Sequence, residues 1–300
     1  MMRRHRFWIR TVLLVLAVSG MMPATAVSAG ERARPIIVFM TDFGTIDDAV
    51  AICKGVMLGI VPDAQVVDIT HQVTPYSIAD GARLLARTAL YYPAGTVFVT
   101  VIDPGVGTSR RSIVVKSARG QYFVLPDNGL VTTVADRDGV EQVREIANPA
   151  WLRAGPASST FHGRDIYSPV GAHLARGEDW SAVGPVVTGL TRLEPPRSSV
   201  DDRGIDGAVV ALDGPYGNLV TNVTDAQFRA LGYAIGDPVH VVVAGKELVL
   251  PYAATFGDVP LGKPLVFIDS RGLLSLAVNQ GNFAESYAVR PPASLRIDRR

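Results

Sequence analysis

Between Pro35 and Val101, short β-branched runs (Ile36 to Met40, Gln65 to Ile69, Thr96 to Val101) alternate with stretches of helical period (Asp47 to Ile60, Ile78 to Tyr91). Strand, helix, strand, helix, strand in that order predicts a layered α/β domain with a mostly parallel sheet covered by helices. Strand-like runs at Ser112 to Lys116 and Gln121 to Leu125, and a helical stretch from Asp165 to Arg176, extend the same domain. The polar, proline-bearing stretch from Arg192 to Gly204 reads as a linker. Beyond it, strand-sized pieces at 207–212, 238–243, 247–250, 264–268 and 273–277 are separated by Gly, Pro and Asp. They predict a smaller C-terminal antiparallel, β-barrel-like domain.

Arg3, Arg4, Arg6 and Arg10 precede an apolar stretch, Thr11 to Val18, and small residues follow through Ala24-Thr-Ala26 and Val27-Ser-Ala29. That is the layout of a cleaved secretory signal, and the apolar core is about half of the roughly 20 residues a spanning helix needs. The organisation expected is therefore a signal peptide over 1–29, an α/β domain over 30–195 and a β domain over 204–300. An exported protein follows, periplasmic or secreted, with no membrane attachment after cleavage. The formal net charge of +1 includes the leader's arginines, so the mature chain is slightly acidic. No Lys/Arg run interleaved with aromatics survives, which argues against nucleic acid as a partner. Cys53, the one cysteine, cannot form an internal disulfide and reads as a small buried hydrophobe.

In open α/β sheets ligands gather at the carboxyl ends of strands, where this chain places Asp42, the run Asp68 to His71, and Asp103. Asp42, ahead of a glycine turn, suits a vicinal diol or an ammonium group, because an ionised carboxylate accepts two strong hydrogen bonds. Asp47 and Asp48 read either as ligands of a cationic group or as caps of the following helix, and capping suits Asp48 better than Asp47. The run Asp103-Pro-Gly-Val-Gly107 forces a turn, and Arg110 lies far enough along to fold back on Asp103, as catalytic partner or as turn brace. His162, between an aromatic and a glycine, is a better functional candidate than His173 or His240. The histidines show no paired metal-ligand spacing, so no metal is expected. In the second half, Asp213-Gly-Pro-Tyr-Gly-Asn218 and Asp269-Ser-Arg-Gly272 are either ordinary turns or a cradle. In a cradle, Asn218 would read a purine edge and Ser270 with Arg271 would hold a carboxylate.

Taken in order, Thr41-Asp-Phe-Gly, Asp47-Asp48, Asp103-Pro-Gly-Val-Gly, Pro126-Asp-Asn-Gly129, Phe161-His-Gly-Arg-Asp165, Asp213-Gly-Pro-Tyr-Gly-Asn218 and Ser270-Arg-Gly272 resemble the S-adenosylmethionine hydroxide adenosyltransferases, relatives of the halogenating S-adenosylmethionine enzymes. The resemblance runs from about Pro35 to Ala288. It implies hydrolysis of S-adenosyl-L-methionine to adenosine and methionine without a cofactor, in a homotrimer with sites between neighbouring subunits. By position it makes Asp103, Arg110 and His162 the water-activating trio and Asp42 the ribose-diol carboxylate. It also makes Asp47, Asp213, Ser270 and Arg271 methionine-end contacts and Asn218 the adenine reader, and places Tyr76, Phe161 and Phe256 against the substrate. Ala49 departs from a serine of the halogenating relatives. The alternatives are halide transfer to the same carbon and an exported, non-catalytic binder of adenosyl ligands.

Overall fold

The computed structural model describes residues 34–194 and 196–300, so the leader assigned to residues 1–29 lies outside the described residues. The first half is a six-stranded sheet in the order β2-β1-β3-β5-β4-β6. Its strands are β1 (Ile36–Thr41), β2 (Gln65–Thr70), β3 (Val97–Val101), β4 (Ser112–Ser117), β5 (Tyr122–Pro126) and β6 (Val140–Glu145). The pairs β1 with β2, β1 with β3 and β3 with β5 are parallel, and only β4 runs against its neighbours. The expected α/β sheet is thus present, with an antiparallel β4 between β5 and β6.

Helices cover both faces, which is why β1 and β3 are apolar at nearly every position. On one face α1 (Ala49–Ile60) and α4 (Ser168–Ala175) pack over Ile37, Phe39, Val97 and Val99. On the other, α2 (Ile78–Ala89) and α3 (Thr132–Asp138) cover Val38, Met40, Phe98 and Phe123. Phe98 and Phe123 stack at 4.9 Å between ring centres, and burying each ring contributes about 1.5–3 kcal/mol. α2 starts at Ser77, whose hydroxyl accepts from Asp80 N, and it ends before the Tyr92-Pro93 step. Cys53 lies fully buried in α1, and burial pushes its thiol up to about 11, as suits a packing residue.

The second half is an antiparallel eight-stranded sheet ordered β11-β10-β14-β8-β9-β13-β12 with β7 on the side of β8. Its strands are β7 (Ser199–Asp201), β8 (Gly204–Asp213), β9 (Asn218–Thr224), β10 (Pro238–Val243), β11 (Lys246–Pro251), β12 (Pro264–Ile268), β13 (Leu273–Val278) and β14 (Ala293–Asp298). A bridge between Tyr252 and Val266 brings the two ends of this path together, giving a nearly closed barrel around Phe228, Leu250, Leu276 and Phe283. β7 lies within the stretch read as linker, and β6, β9 and β14 are further strands that the sequence reading leaves out. β6 is a polar edge strand with one buried residue, and β9 opens with Asn218, a residue typical of turns.

Candidate active site

Two chain segments meet at the carboxyl end of β3. The turn after Val101 carries Asp103, and the loop before α4 carries His162. Gly107 makes the meeting possible. Its φ is +78°, and a Cβ there would lie 2.3 Å from the carbonyl oxygen of Ser159, so only glycine lets the two segments touch. Gly163 admits the ring of Phe43, whose nearest atom would stand 3.0 Å from a Cβ. Behind Asp103, Asn128 Nδ2 donates to the Ile102 carbonyl at 2.9 Å, which gives the Asp-Asn-Gly run a bracing task. Asp127 does the same through Arg111 Nε at 3.0 Å and Thr191 N at 2.9 Å.

The sequence Gly163–Tyr167 forms a single π-helical turn leading into α4, a wider turn often found at functional sites. Asp165, on that turn, is buried and accepts from Arg164, Arg153 and Ser158 N. The Arg164 hydrogen bond, first among these, holds its carboxyl well below the usual range. Asp165 therefore braces the loop that presents His162.

Arg110 is the hub. Its Nε donates to Asp103 Oδ1 at 2.7 Å, its Nη2 to Asp103 Oδ2 and to His162 Nδ1 at 2.9 Å, and its Nη1 to Ser112 Oγ at 2.9 Å and the Arg111 carbonyl at 3.3 Å. Every N–H of the guanidinium thus has a protein acceptor, and none is left for a ligand. Because a guanidinium only donates, His162 Nδ1 must accept, and its ring proton sits on Nε2. The Tyr167 hydroxyl stands 3.1 Å from Ser112 Oγ and 3.5 Å from Asp103 Oδ2, and burial keeps it protonated. Ser112, inside a β-branched run, gave no sign of this role in the sequence.

Burial, and then the Arg110 charge, lower the His162 pKa below 6.5, outweighing Asp103. A protonated ring would also set an N–H against Arg110 Nη2. Between the lowered value and about 6.5 the unfolded chain binds more protons than the folded one, so His162 makes stability rise with pH there and level off above. Turnover should likewise stay flat from neutral pH down to about 6.5 and fall only below it. A pH profile of kcat/KM checks this, and an acid limb centred above 6.5 contradicts it.

Asp42, Tyr76 and Phe161 line the same cleft of about 360 Å³ as Asp103 and His162, together with Phe43, Pro75, Val106 and Thr160. Tyr76 N donates to Asp42 Oδ2 at 2.9 Å. Asp47 lines neither this cleft nor the larger one on the β domain. Its Oδ1 accepts from Ala49 N at 3.1 Å, so it caps α1, whereas Asp48, the residue better suited to capping by sequence, makes no such bond.

A second cleft, of about 1240 Å³, is lined by Asp213, Asn218, Phe256, Ser270 and Arg271 of the β domain and by Arg87 of α2. Arg271 makes a two-pronged pair with Asp213 at 2.7 and 2.8 Å and also holds Asp269. Asn218 is 6% exposed and its side-chain amide has no hydrogen-bond partner among the described residues, so its donor and acceptor face the cleft unused. The two clefts share no lining residue. One has the charged cluster and the Asp42 carboxylate, and the other has the free amide.

Residues 37–184 match the SAM hydroxide adenosyltransferase N-terminal domain and residues 207–296 its C-terminal domain. The chain belongs to the SAM hydroxide adenosyltransferase family. Among its relatives is the (R)-S-adenosyl-L-methionine hydrolase of Salinispora arenicola, 41% identical over 88% of this chain and 97% of that protein. A fluorinase of Actinopolyspora mzabensis is 34% identical over 89% of this chain and 98% of its own length. The crystal structure of an uncharacterized conserved protein from Thermotoga maritima superposes with a TM-score of 0.82 at 39% identity, covering 87% of this chain and 99% of that one.

Proposed function

We propose that this adenosyltransferase hydrolyses S-adenosyl-L-methionine to adenosine and methionine by in-line attack of water on the sugar C5′. The observation that supports this reading most is Arg110 held between Asp103 and His162 in the cleft that also contains Asp42. The C–S bond breaks as the C–O bond forms, and methionine leaves as a neutral thioether with the bonding electrons. The sulfonium needs no further activation as a leaving group and hydrolysis changes no oxidation state, so the step calls on no metal or redox cofactor. The positive charge passes to the proton that water gives up as the C–O bond forms. Water between His162 and Asp103 accepts from Nε2–H and points a proton at the carboxylate, the cluster's anionic acceptor. Fixing that water in line with the C–S bond can supply up to about 7–11 kcal/mol of the barrier reduction.

In this reading Asp42 takes the ribose diol, Tyr76, Phe161 and Phe256 flank the ligand, and Asn218 reads the adenine edge. Asp213, Ser270 and Arg271 take the methionine end. Asp47 is exposed at the start of α1 and lines neither cleft, so a contact with the methionine end would require a ligand shared with a neighbouring copy. The separation of the two sets of groups into clefts with no common residue suits a homotrimer in which one subunit's charged cleft faces the next one's amide cleft. The first 29 residues, read as a signal peptide, would place the reaction outside the cytosol.

Halide transfer is the second reading, favoured by the fluorinase relative. Against it, every Arg110 N–H is engaged and Asp103 balances its charge, so the cluster offers a halide no free cation. The test is product analysis with each sulfonium epimer, with and without chloride or fluoride. Equal amounts of adenosine and methionine, unchanged by halide, are expected. A 5′-halo-5′-deoxyadenosine would establish the second reading, and saturable binding without methionine release would mark a binding protein.

A further inference from the structure

Lys54, Asp68, His71 and Thr41 form a chain of polar contacts beneath the turn that carries Asp42, and the proposed chemistry makes no use of it. His71 is 5% exposed, with Nδ1 2.9 Å from Thr41 Oγ1. Its Nε2 lies 3.1 Å from Asp68 Oδ1, at an angle short of a full hydrogen bond, and Asp68 Oδ2 accepts from Lys54 Nζ at 2.6 Å. Burial acts to raise the Asp68 pKa, but Lys54 and His71 outweigh it and hold the carboxyl below its ordinary value. An ionised Asp68 turns the imidazole N–H toward itself and leaves Nδ1 to accept from the Thr41 hydroxyl.

Carboxylate, imidazole and hydroxyl in a row resemble a nucleophilic triad, but Thr41 is fully buried and its oxygen cannot reach a substrate. The hydroxyl instead accepts from Phe43 N at 3.2 Å, while the His71 carbonyl accepts from Gly44 N at 2.6 Å. His71 therefore holds both ends of the Thr41 to Gly44 turn. Tyr76 N occupies Asp42 Oδ2, and Oδ1 has no protein donor among the described residues.

We propose that His71 is a positioning residue that aims the free oxygen of Asp42 at the ribose hydroxyls of the adenosyl ligand. This rests on the reading of Asp42 as the diol carboxylate. Since the diol contact is made equally before and during C–S cleavage, loss of His71 acts on binding more than on the chemical step.

The test is calorimetric titration of the full chain with adenosine and with 2′,3′-dideoxyadenosine, which lacks the diol, alongside turnover of S-adenosylmethionine. Wild type should bind adenosine at least about tenfold tighter, the scale of a lost charge-assisted hydrogen bond. His71→Ala should bring that ratio close to one and raise KM, with kcat within about threefold of wild type. Asp42→Ala should likewise bring the ratio close to one, and the double variant should lower it no further. Thr41→Val, which keeps the buried volume and removes the hydroxyl, should also lower the ratio and covers the case in which His71→Ala does not fold. A general loosening of the fold would weaken both ligands alike and leave the ratio unchanged. An unchanged ratio in either variant overturns the role of His71. A wild-type ratio near one overturns it too, by removing the diol reading of Asp42, whatever the fate of the hydrolysis assay.

Discussion

Arg110→Ala is expected to lower kcat by about 100- to 1000-fold and to destabilise the fold by about 3–5 kcal/mol. Both effects have the same origin. The Asp103 side chain is only 4% exposed and Arg110 11%, so deleting the guanidinium leaves a buried carboxylate without its counter-charge. His162 loses the donor to Nδ1, and its ring is then free to turn or to change tautomer. Arg110→Lys should not restore activity, because an ammonium cannot reproduce the paired contacts to Asp103 while also reaching His162 and Ser112. Steady-state kinetics and urea unfolding measure the two effects. Activity within about threefold of wild type would remove Arg110 from the mechanism.

A large gain, rather than a loss, is expected when two inactive variants are combined. His162→Ala disables the charged cleft and Asn218→Ala the amide cleft, and the two clefts share no residue. If each site joins one subunit's charged cleft to its neighbour's amide cleft, unfolding and refolding an equal mixture should restore about a quarter of wild-type activity, the random share of interfaces pairing two intact halves. Each variant refolded alone should stay inactive. No recovery, in an assembly shown by mass to contain both variants, would mean that every site lies within one chain.

The layered α/β half was legible because its central strands are buried on both faces and its helices keep a regular period, as in β1, β3 and α2. Strands with weaker signals escaped. β6 is a polar edge, and β9 begins with an asparagine whose turn-forming tendency the barrel overrides by pairing it with Asp213. At the site, Asp103, Arg110 and His162 could be named from loops rich in glycine, yet the engagement of every Arg110 N–H depends on Ser112 and the Arg111 carbonyl, which only the folded backbone presents. His71 was visible as a polar residue after a strand, but its partners Thr41 and Lys54 come from separate elements, so its grip on the Asp42 turn emerges only in three dimensions. Asp47 shows the reverse: a residue that suits a ligand by sequence is engaged in capping α1.

Turnover of S-adenosylmethionine in water labelled in its oxygen reports on the reacting carbon itself, because attack at C5′ leaves a record in the product. One labelled oxygen should appear at the 5′ position of adenosine and none in methionine, and His162→Ala should slow its appearance at least about a hundredfold. Adenosine formed without label would rule out attack of water at C5′, and label delivered at the wild-type rate by the His162 variant would remove His162 from the water's activation.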